Sequence, residues 1–210
     1  LVLIEPAEAL YIASANALLK TLEEPGERVM IILLAGHYLK LPATVRSRLQ
    51  HFALDRMTEQ QTVDYLQQHL SAEQQQNISL LMNLSHQMPL QAQNLAGSEW
   101  LSKRQAFVQD WQTLVQQKRA PLMYATKWQK ELSFTDLICM FEYLLSDVIC
   151  VKLNQHVRNI DIEFSTLVSC YHLEKLFSLY TQLQQYKQQV AQNVQSNLVL
   201  DELFIQLMNV

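Results

Sequence analysis

The residues that best fit a chemical role in this sequence are the two arginines of the run Arg46-Ser47-Arg48. They follow Pro42 in a segment with the pattern of a short helix. A guanidinium is always charged and its planar N–H donors match a phosphate, so an arginine fixed at a domain edge can stabilise phosphate charge in a neighbouring subunit's active site. Such an arginine can accelerate phosphoryl transfer about 10³-fold or more. The spacing alone, however, is more typical of a solvated basic turn.

The other candidate groups form no recognisable catalytic or metal-binding pattern. Glu23 and Glu24 are adjacent, and Glu5 and Glu8 are three residues apart. Such pairs are common on helix surfaces, so general acid–base catalysis by them is not favoured. The six histidines are scattered without metal-ligand spacing, and no metal site is predicted. Ser47 lacks the G-x-S-x-G setting of a nucleophilic serine.

The elements that must position the arginines are two strands and a helix. Continuous apolar runs at residues 1–4 and 29–34 are typical of strands covered on both faces. Between them, apolar residues at helical spacing follow Ser14, a plausible N-cap, and end before Pro25-Gly26. This order predicts a βαβ unit with parallel strands. A last short strand is predicted at residues 50–54.

Beyond Asp55 the apolar spacing is helical throughout. The first of these helices begins with a capping-box spacing of Thr58 and Gln61. The predicted helices cover residues 57–70, 78–84, 89–97, 98–121, 122–130, 134–153, 162–170, 173–194 and 198–208. We therefore predict an α/β part over residues 1–56, a three-helix module over 57–97, and an all-α domain over 98–210.

Composition limits the classes of protein that fit. The chain has 210 residues, of which 49% are hydrophobic, and its net charge is −4. It can bury a sizeable core, it fits neither a disordered nor a membrane protein, and its charge argues against a chain that coats nucleic acid unaided. The positions of the three glycines permit neither a phosphate loop nor a dinucleotide-binding turn. Cys139, Cys150 and Cys170 fit free thiols of a cytoplasmic protein. Because the sequence opens without Met in a strand pattern, we expect a fragment lacking an upstream part of its first domain.

Two runs of the sequence closely resemble the clamp-loader branch of the AAA+ proteins: NALLKTLEEP at residues 16–25 and LPATVRSR at residues 41–48. In that family, the first run is the helix after the Walker B strand. The second is the Ser-Arg-Cys motif, whose arginine reaches the ATP of the adjacent subunit. Ser47 and Arg48 match this motif, and Leu49 replaces its cysteine. The resemblance implies that Arg48 is an arginine finger in trans with Arg46 in support, and that the fold is the C-terminal part of an AAA+ core followed by a three-helix lid and a helical collar.

The same resemblance implies a member that does not hydrolyse ATP. Hydrolysing members carry Asp-Glu at the end of the Walker B strand, where this chain has Glu5-Pro6, and the polar sensor after the next strand falls at Ala35 or Gly36. The implied role is that of a stator in the DNA polymerase III clamp loader during DNA replication, with no ATPase and no cofactor of its own. Its implied partners are the gamma/tau subunit, which binds the ATP, the delta subunit and, through the complex, the sliding clamp and primed DNA, with no membrane involved.

Three alternatives stay open at this point. The chain would be a degenerate AAA+ subunit if an upstream phosphate loop binds nucleotide without splitting it. It would be a stand-alone helical adaptor if residues 98–210 alone bind its partners and changes at Arg46 and Arg48 have no effect. A direct DNA binder is the third, for which so acidic a chain predicts weak affinity and a shallow salt dependence.

Overall fold

A computed structural model describes residues 1–118, 120–190 and 196–209. These residues form two compact units, Leu1–Asp55 and Arg56–Val210. The boundary between the two units lies where the apolar pattern of the sequence changes to a purely helical one. The division of the second part into a 57–97 module and a 98–210 domain stays a prediction.

The first unit contains the predicted βαβ arrangement. Its two strands pair in parallel, with Val2 opposite Ile31 and Ile4 opposite Leu33. A single-turn helix follows the second strand, and short 3-10 turns lie at Ala7–Ala9 and Tyr38–Lys40. The main elements are β1 at Val2–Ile4, α1 at Ile12–Glu23, β2 at Ile31–Leu33 and α2 at Ala43–Arg46.

Three details of the first unit differ from the sequence-based expectation. The helix begins at Ile12 with Tyr11 at its N-cap, so Ser14 is not the cap. The strand predicted at residues 50–54 is wrong, because this segment pairs with no described strand and Phe52 and Leu54 are 73% and 86% exposed. The strand residues expected to be covered on both faces include exposed side chains. An apolar run specifies a strand that can be buried, but it does not specify what covers it.

The described residues of the second unit form helices joined by loops, with no strand among them, as predicted. Its first part consists of α3 at Glu59–His69, α4 at Ala72–Gln75, α5 at Ile78–Leu84 and α6 at Pro89–Ala96. The Thr58 hydroxyl accepts the Gln61 N–H while the Gln61 side chain accepts the Thr58 N–H, which confirms the predicted capping box. A second box of Ser71 and Gln74 begins α4, a helix that the sequence analysis missed.

The longer helices that follow also match the predicted positions. They are α7 at Trp100–Gln117, α8 at Pro121–Glu131, α9 at Phe134–Lys152, α10 at Ser165–Cys170, α11 at Leu173–Val190 and α12 at Ser196–Met208. The last four residues of the predicted helix 173–194 lie outside the described residues. None of the described helices combines the length and apolarity that crossing a membrane requires.

An aromatic cluster forms the centre of this unit. Phe107 makes edge-on contacts with Trp111, Trp128, Phe141 and Phe204, at centroid distances of 5.0 to 6.3 Å. These five rings come from four helices, and each is at least 98% buried. Aromatic side chains remove large apolar areas from water, and edge-on geometry adds electrostatic attraction between rings. The cluster therefore joins α7, α8, α9 and α12 in one core.

One hydrogen-bonded pair lies inside this core. Trp111 Nε1–H donates to the Tyr171 hydroxyl at 2.8 Å, and that hydroxyl donates to the backbone carbonyl of Leu207. Burial raises the pKa of Tyr171 far above its usual range, so the hydroxyl keeps its proton. A single phenol thus satisfies one donor and one acceptor that have no access to water.

We expect Tyr171→Phe to lower the free energy of unfolding by about 1 to 3 kcal/mol. Phenylalanine keeps the ring but leaves the Trp111 indole N–H and the Leu207 carbonyl without this partner. Urea denaturation followed by circular dichroism measures the change. The matched control is Tyr124→Phe, since Tyr124 packs against the same core and its hydroxyl has no hydrogen bond within the described residues. Equal stability of the two variants would contradict the assigned role.

Candidate functional site

The predicted site lies at the end of the first unit's single-turn helix. The carbonyl of Pro42 accepts from the backbone N–H groups of Val45 and Arg46 at 3.0 Å and so starts the turn. Val45 is fully buried and anchors α2, which packs against α1. Ser47 and Arg48 follow on the exposed side. The local fold therefore holds the backbone of the motif while leaving its last side chain accessible.

Arg48 is held by an ion pair with Glu23, the last residue of α1. Its Nε donates to Glu23 Oε1 at 2.7 Å, and Nη2 contacts the same carboxylate oxygen. Its other terminal nitrogen donates to the Thr44 carbonyl at 2.8 Å and to the Ser47 hydroxyl at 3.2 Å. The two charged side chains are 33% and 49% exposed, and ion pairs this accessible contribute at most about 1 kcal/mol. Arg48 is thus oriented but can exchange Glu23 for another anion at small cost.

Arg46 occupies a different environment from Arg48. Its guanidinium carbon lies 5.5 Å from the centre of the Tyr38 ring, a cation–π distance. The Tyr38 ring in turn lies 4.2 Å from the ring of His51. The Arg46 Nε is buried and has no hydrogen-bond partner among the described residues. Arg46 therefore contacts an aromatic ring, whereas Arg48 contacts a carboxylate, so the two guanidiniums have different partners.

Ser47 orients its neighbours. Its hydroxyl donates to the Thr44 carbonyl at 3.0 Å and accepts from Arg48 at 3.2 Å. Because both contacts lie within the same turn, the serine links the Thr44 carbonyl of α2 to the Arg48 side chain. This arrangement suits a positioning residue.

The remaining positions singled out by the resemblance lie just after the two strands. Glu5 and Pro6 follow β1, and Gly36 follows β2. The Gly36 N–H donates to Glu8 Oε1 at 3.0 Å, and a Cβ at Gly36 would lie only 3.2 Å from that oxygen. Hydrogen bonds from the backbone N–H groups of Glu8 itself and of Gly36 lower the pKa of Glu8. Glycine therefore permits a close approach that ties the two loops together.

Two neighbours of the arginines were missed from the sequence: Glu23, interpreted as a surface acid, and Tyr38. Glu23 is 25 residues from Arg48 along the chain, so no helical or strand spacing connects them. The available signal was that Glu23 belongs to the first motif and Arg48 to the second. Within the ranges that the structure describes, no three His, Cys, Asp or Glu side chains are placed to share a metal ion.

Comparisons with known proteins agree with the resemblance carried by the two motifs. Residues 1–58 match a family described as DNA polymerase III, delta subunit. The chain is 33% identical to DNA polymerase III subunit delta' of Pseudomonas aeruginosa over 127 residues, which are 60% of this chain and 39% of that protein. It is also 33% identical to subunit delta' of Haemophilus influenzae over 131 residues, which are 62% of this chain and 39% of that protein.

A third match covers less of the chain. Subunit tau of Bacillus subtilis is 42% identical over 74 residues, which are 35% of this chain and 13% of that protein. The chain spans about two fifths of the length of the delta' proteins it matches. The matches confirm the resemblance, and this chain is similar in sequence to DNA polymerase III delta' subunits.

Proposed function

We propose that this chain is part of a non-hydrolysing delta' stator of the DNA polymerase III clamp loader, which helps to load the sliding clamp onto primed DNA. In this proposal Arg48 is an arginine finger for the ATP bound by the neighbouring gamma/tau subunit. The observation that carries it is the accessible, weakly paired guanidinium of Arg48 at the end of the motif, in a homologue of delta' subunits.

The chemistry assigned to Arg48 follows from its donors. During phosphoryl transfer, negative charge spreads over the oxygens of the transferred group, and a guanidinium stabilises this charge through ionic hydrogen bonds. The nitrogens Nε and Nη2 that now contact Glu23 form one edge of the fork. Exchanging one carboxylate oxygen for phosphate oxygens keeps these donors satisfied. The Thr44 and Ser47 contacts hold the opposite edge, so the side chain can change partner while staying attached to its own turn.

The absence of hydrolysis by this subunit is also part of the proposal. Pro6 stands where hydrolysing members have a glutamate that activates water, and proline has no group that accepts a proton. Gly36, one of the two positions where hydrolysing members have the polar sensor, has no polar side chain, and its main-chain N–H is already bonded to Glu8. These features support a subunit that contributes to a neighbour's ATP site. The helical adaptor is less well supported, because the family match lies within residues 1–58.

Assembly is the first expected property of the complete subunit. Mixed with gamma/tau and delta, it should elute from a size-exclusion column as one defined complex, with or without ATP. The three proteins run alone provide the reference positions. Separate elution under both conditions would reject the stator and return the helical adaptor to consideration.

The Arg48→Ala variant of the complete subunit should assemble normally but lower the ATPase rate of the complex. The complex should lose the contribution of the one site that Arg48 faces, since an arginine finger is worth about 10³-fold or more at its own site. Arg48→Lys should recover little of the rate, because an ammonium lacks the planar fork. Lys40→Ala removes an exposed positive charge from the same unit and serves as the control. Normal ATPase in an assembled Arg48→Ala complex would remove Arg48 from this role.

The Glu23→Gln variant separates positioning from catalysis. It removes the charge that competes with phosphate for Arg48, so the ATPase rate should rise modestly, by up to about fivefold for an exposed pair worth at most about 1 kcal/mol. Steady-state ATPase of the assembled complex measures this change. Glu24→Gln, which neutralises the adjacent exposed acid, should leave the rate unchanged. A loss as large as that of Arg48→Ala would instead place Glu23 in the catalytic arrangement.

A further inference from the structure

The second unit contains a cleft of about 800 Å³ that the proposed function does not use. One wall is the turn after α5, and the opposite wall is α9 with the loop that follows it. Clefts of this volume are typical of sites for small molecules rather than long polymers. The side chains that line it and enter the argument are Arg56, His86, Glu142, Tyr143, His156 and Arg158.

The cleft concentrates basic side chains in a chain whose net charge is −4. Arg56 and Arg158 carry positive charge, and His86 and His156 add two imidazole rings. Among the described residues that line the cleft, Glu142 is the one acidic residue. Its oxygens already accept from Lys187 Nζ at 2.6 Å and from Gln184 Nε2 at 2.7 Å, and this pairing raises the pKa of Lys187. The local balance of charge therefore favours an anion.

Arg158 is held in place before any ligand binds. Its backbone N–H donates to Asp147 Oδ1 at 3.1 Å, and its Nε lies 3.5 Å from the same oxygen. The Asp147 side chain is fully buried, and its other oxygen accepts from the backbone N–H and the side-chain amide of Asn159, both at 2.7 Å. A buried carboxylate with this many donors has little freedom, so it fixes the base of the arginine.

The tip of Arg158 is also oriented. Its guanidinium carbon lies 4.9 Å from the centre of the Tyr143 ring. The Tyr143 ring stacks on Trp100 at 5.4 Å, and its hydroxyl accepts from Gln91 Nε2 at 3.0 Å. The terminal nitrogens of Arg158 form no hydrogen bond with any described residue. A fixed guanidinium with unused N–H groups is the arrangement that binds phosphate oxygens in pairs.

We propose that this cleft binds a phosphate-bearing ligand of nucleotide size, with Arg158 as the fixed donor and Arg56 as a second cation. Amide side chains at Asn83, Gln87 and Gln91 provide further hydrogen-bonding groups along the same walls. The site lies within the second unit and does not depend on the role assigned to Arg48. The limited volume and the negative net charge favour a free phosphate compound over a nucleic-acid backbone.

Calorimetric titration of the full chain with inorganic tripolyphosphate tests the proposal. One molecule should bind per chain, with an affinity that falls as salt is added. Arg56→Ala should weaken binding about tenfold, since it removes a charge-assisted contact from an exposed position. Lys130→Ala, which removes an exposed positive charge elsewhere in the same unit, is the control and should bind as the unaltered chain does. Arg158→Lys should also weaken binding, because lysine keeps the charge without the fork.

The cysteines provide a second readout that locates the ligand. Cys139 and Cys150 line the cleft, whereas Cys170 does not. Tripolyphosphate should slow maleimide labelling of Cys139 and Cys150 and leave the rate at Cys170 unchanged, as measured by mass spectrometry. Burial raises the pKa of Cys139, which slows its labelling, so the reaction at this residue is followed over a longer time.

Three outcomes would overturn the proposal. The first is no tripolyphosphate binding at millimolar concentration, and the second is equal affinity in the Arg56→Ala and Lys130→Ala variants. The third is equal protection of all three cysteines. An oligothymidylate that binds more tightly than tripolyphosphate in the same assay, and depends on Arg56, would instead identify the cleft as a nucleic-acid contact and reject the small ligand.

Discussion

The buried carboxylate of Asp147 is the constraint on which the arrangement of the second unit depends. It accepts hydrogen bonds from the segment that follows α9, at Arg158 and Asn159. Asn159 in turn accepts from Arg104 Nε of α7 at 3.0 Å, and Arg104 also forms an ion pair with Asp161. An unpaired charge at such a site would be severely destabilising. The network therefore specifies how α7, α9 and the loop that follows α9 meet, in a way that apolar contact does not.

Hydrophobic packing and this polar network make different contributions to the fold of the second unit. The aromatic cluster around Phe107 supplies buried area from four helices, and such burial is favourable over a range of similar packings. Hydrogen bonds have narrow limits of distance and angle. The paired groups at Asp147 and at Tyr171 select one packing from that range. This selection places Arg158 beside Tyr143, so the shape of the cleft follows from interactions deeper in the core.

The elements that the sequence predicts well are those set by local physics. Apolar periodicity identified the described helices beyond Asp55 except α4, Thr58 identified a helix start, and Pro89 marked another. The βαβ unit followed from strand, helix and strand patterns in order. Contacts between distant residues could not be obtained this way. Glu23 and Arg48 meet because the end of α1 lies beside the turn after α2. The strand predicted at residues 50–54 does not form, and this segment has no described strand to pair with.

The contact between Glu23 and Arg48 has a consequence for how sequences of this kind can diverge. The two runs that carry the family resemblance, residues 16–25 and 41–48, are joined through these side chains into one structural unit. A substitution that reverses or removes the charge of one partner changes the environment of the other. Because the pair is exposed and contributes little stability, position 23 can change singly, whereas the chemistry proposed for Arg48 restricts position 48 to arginine.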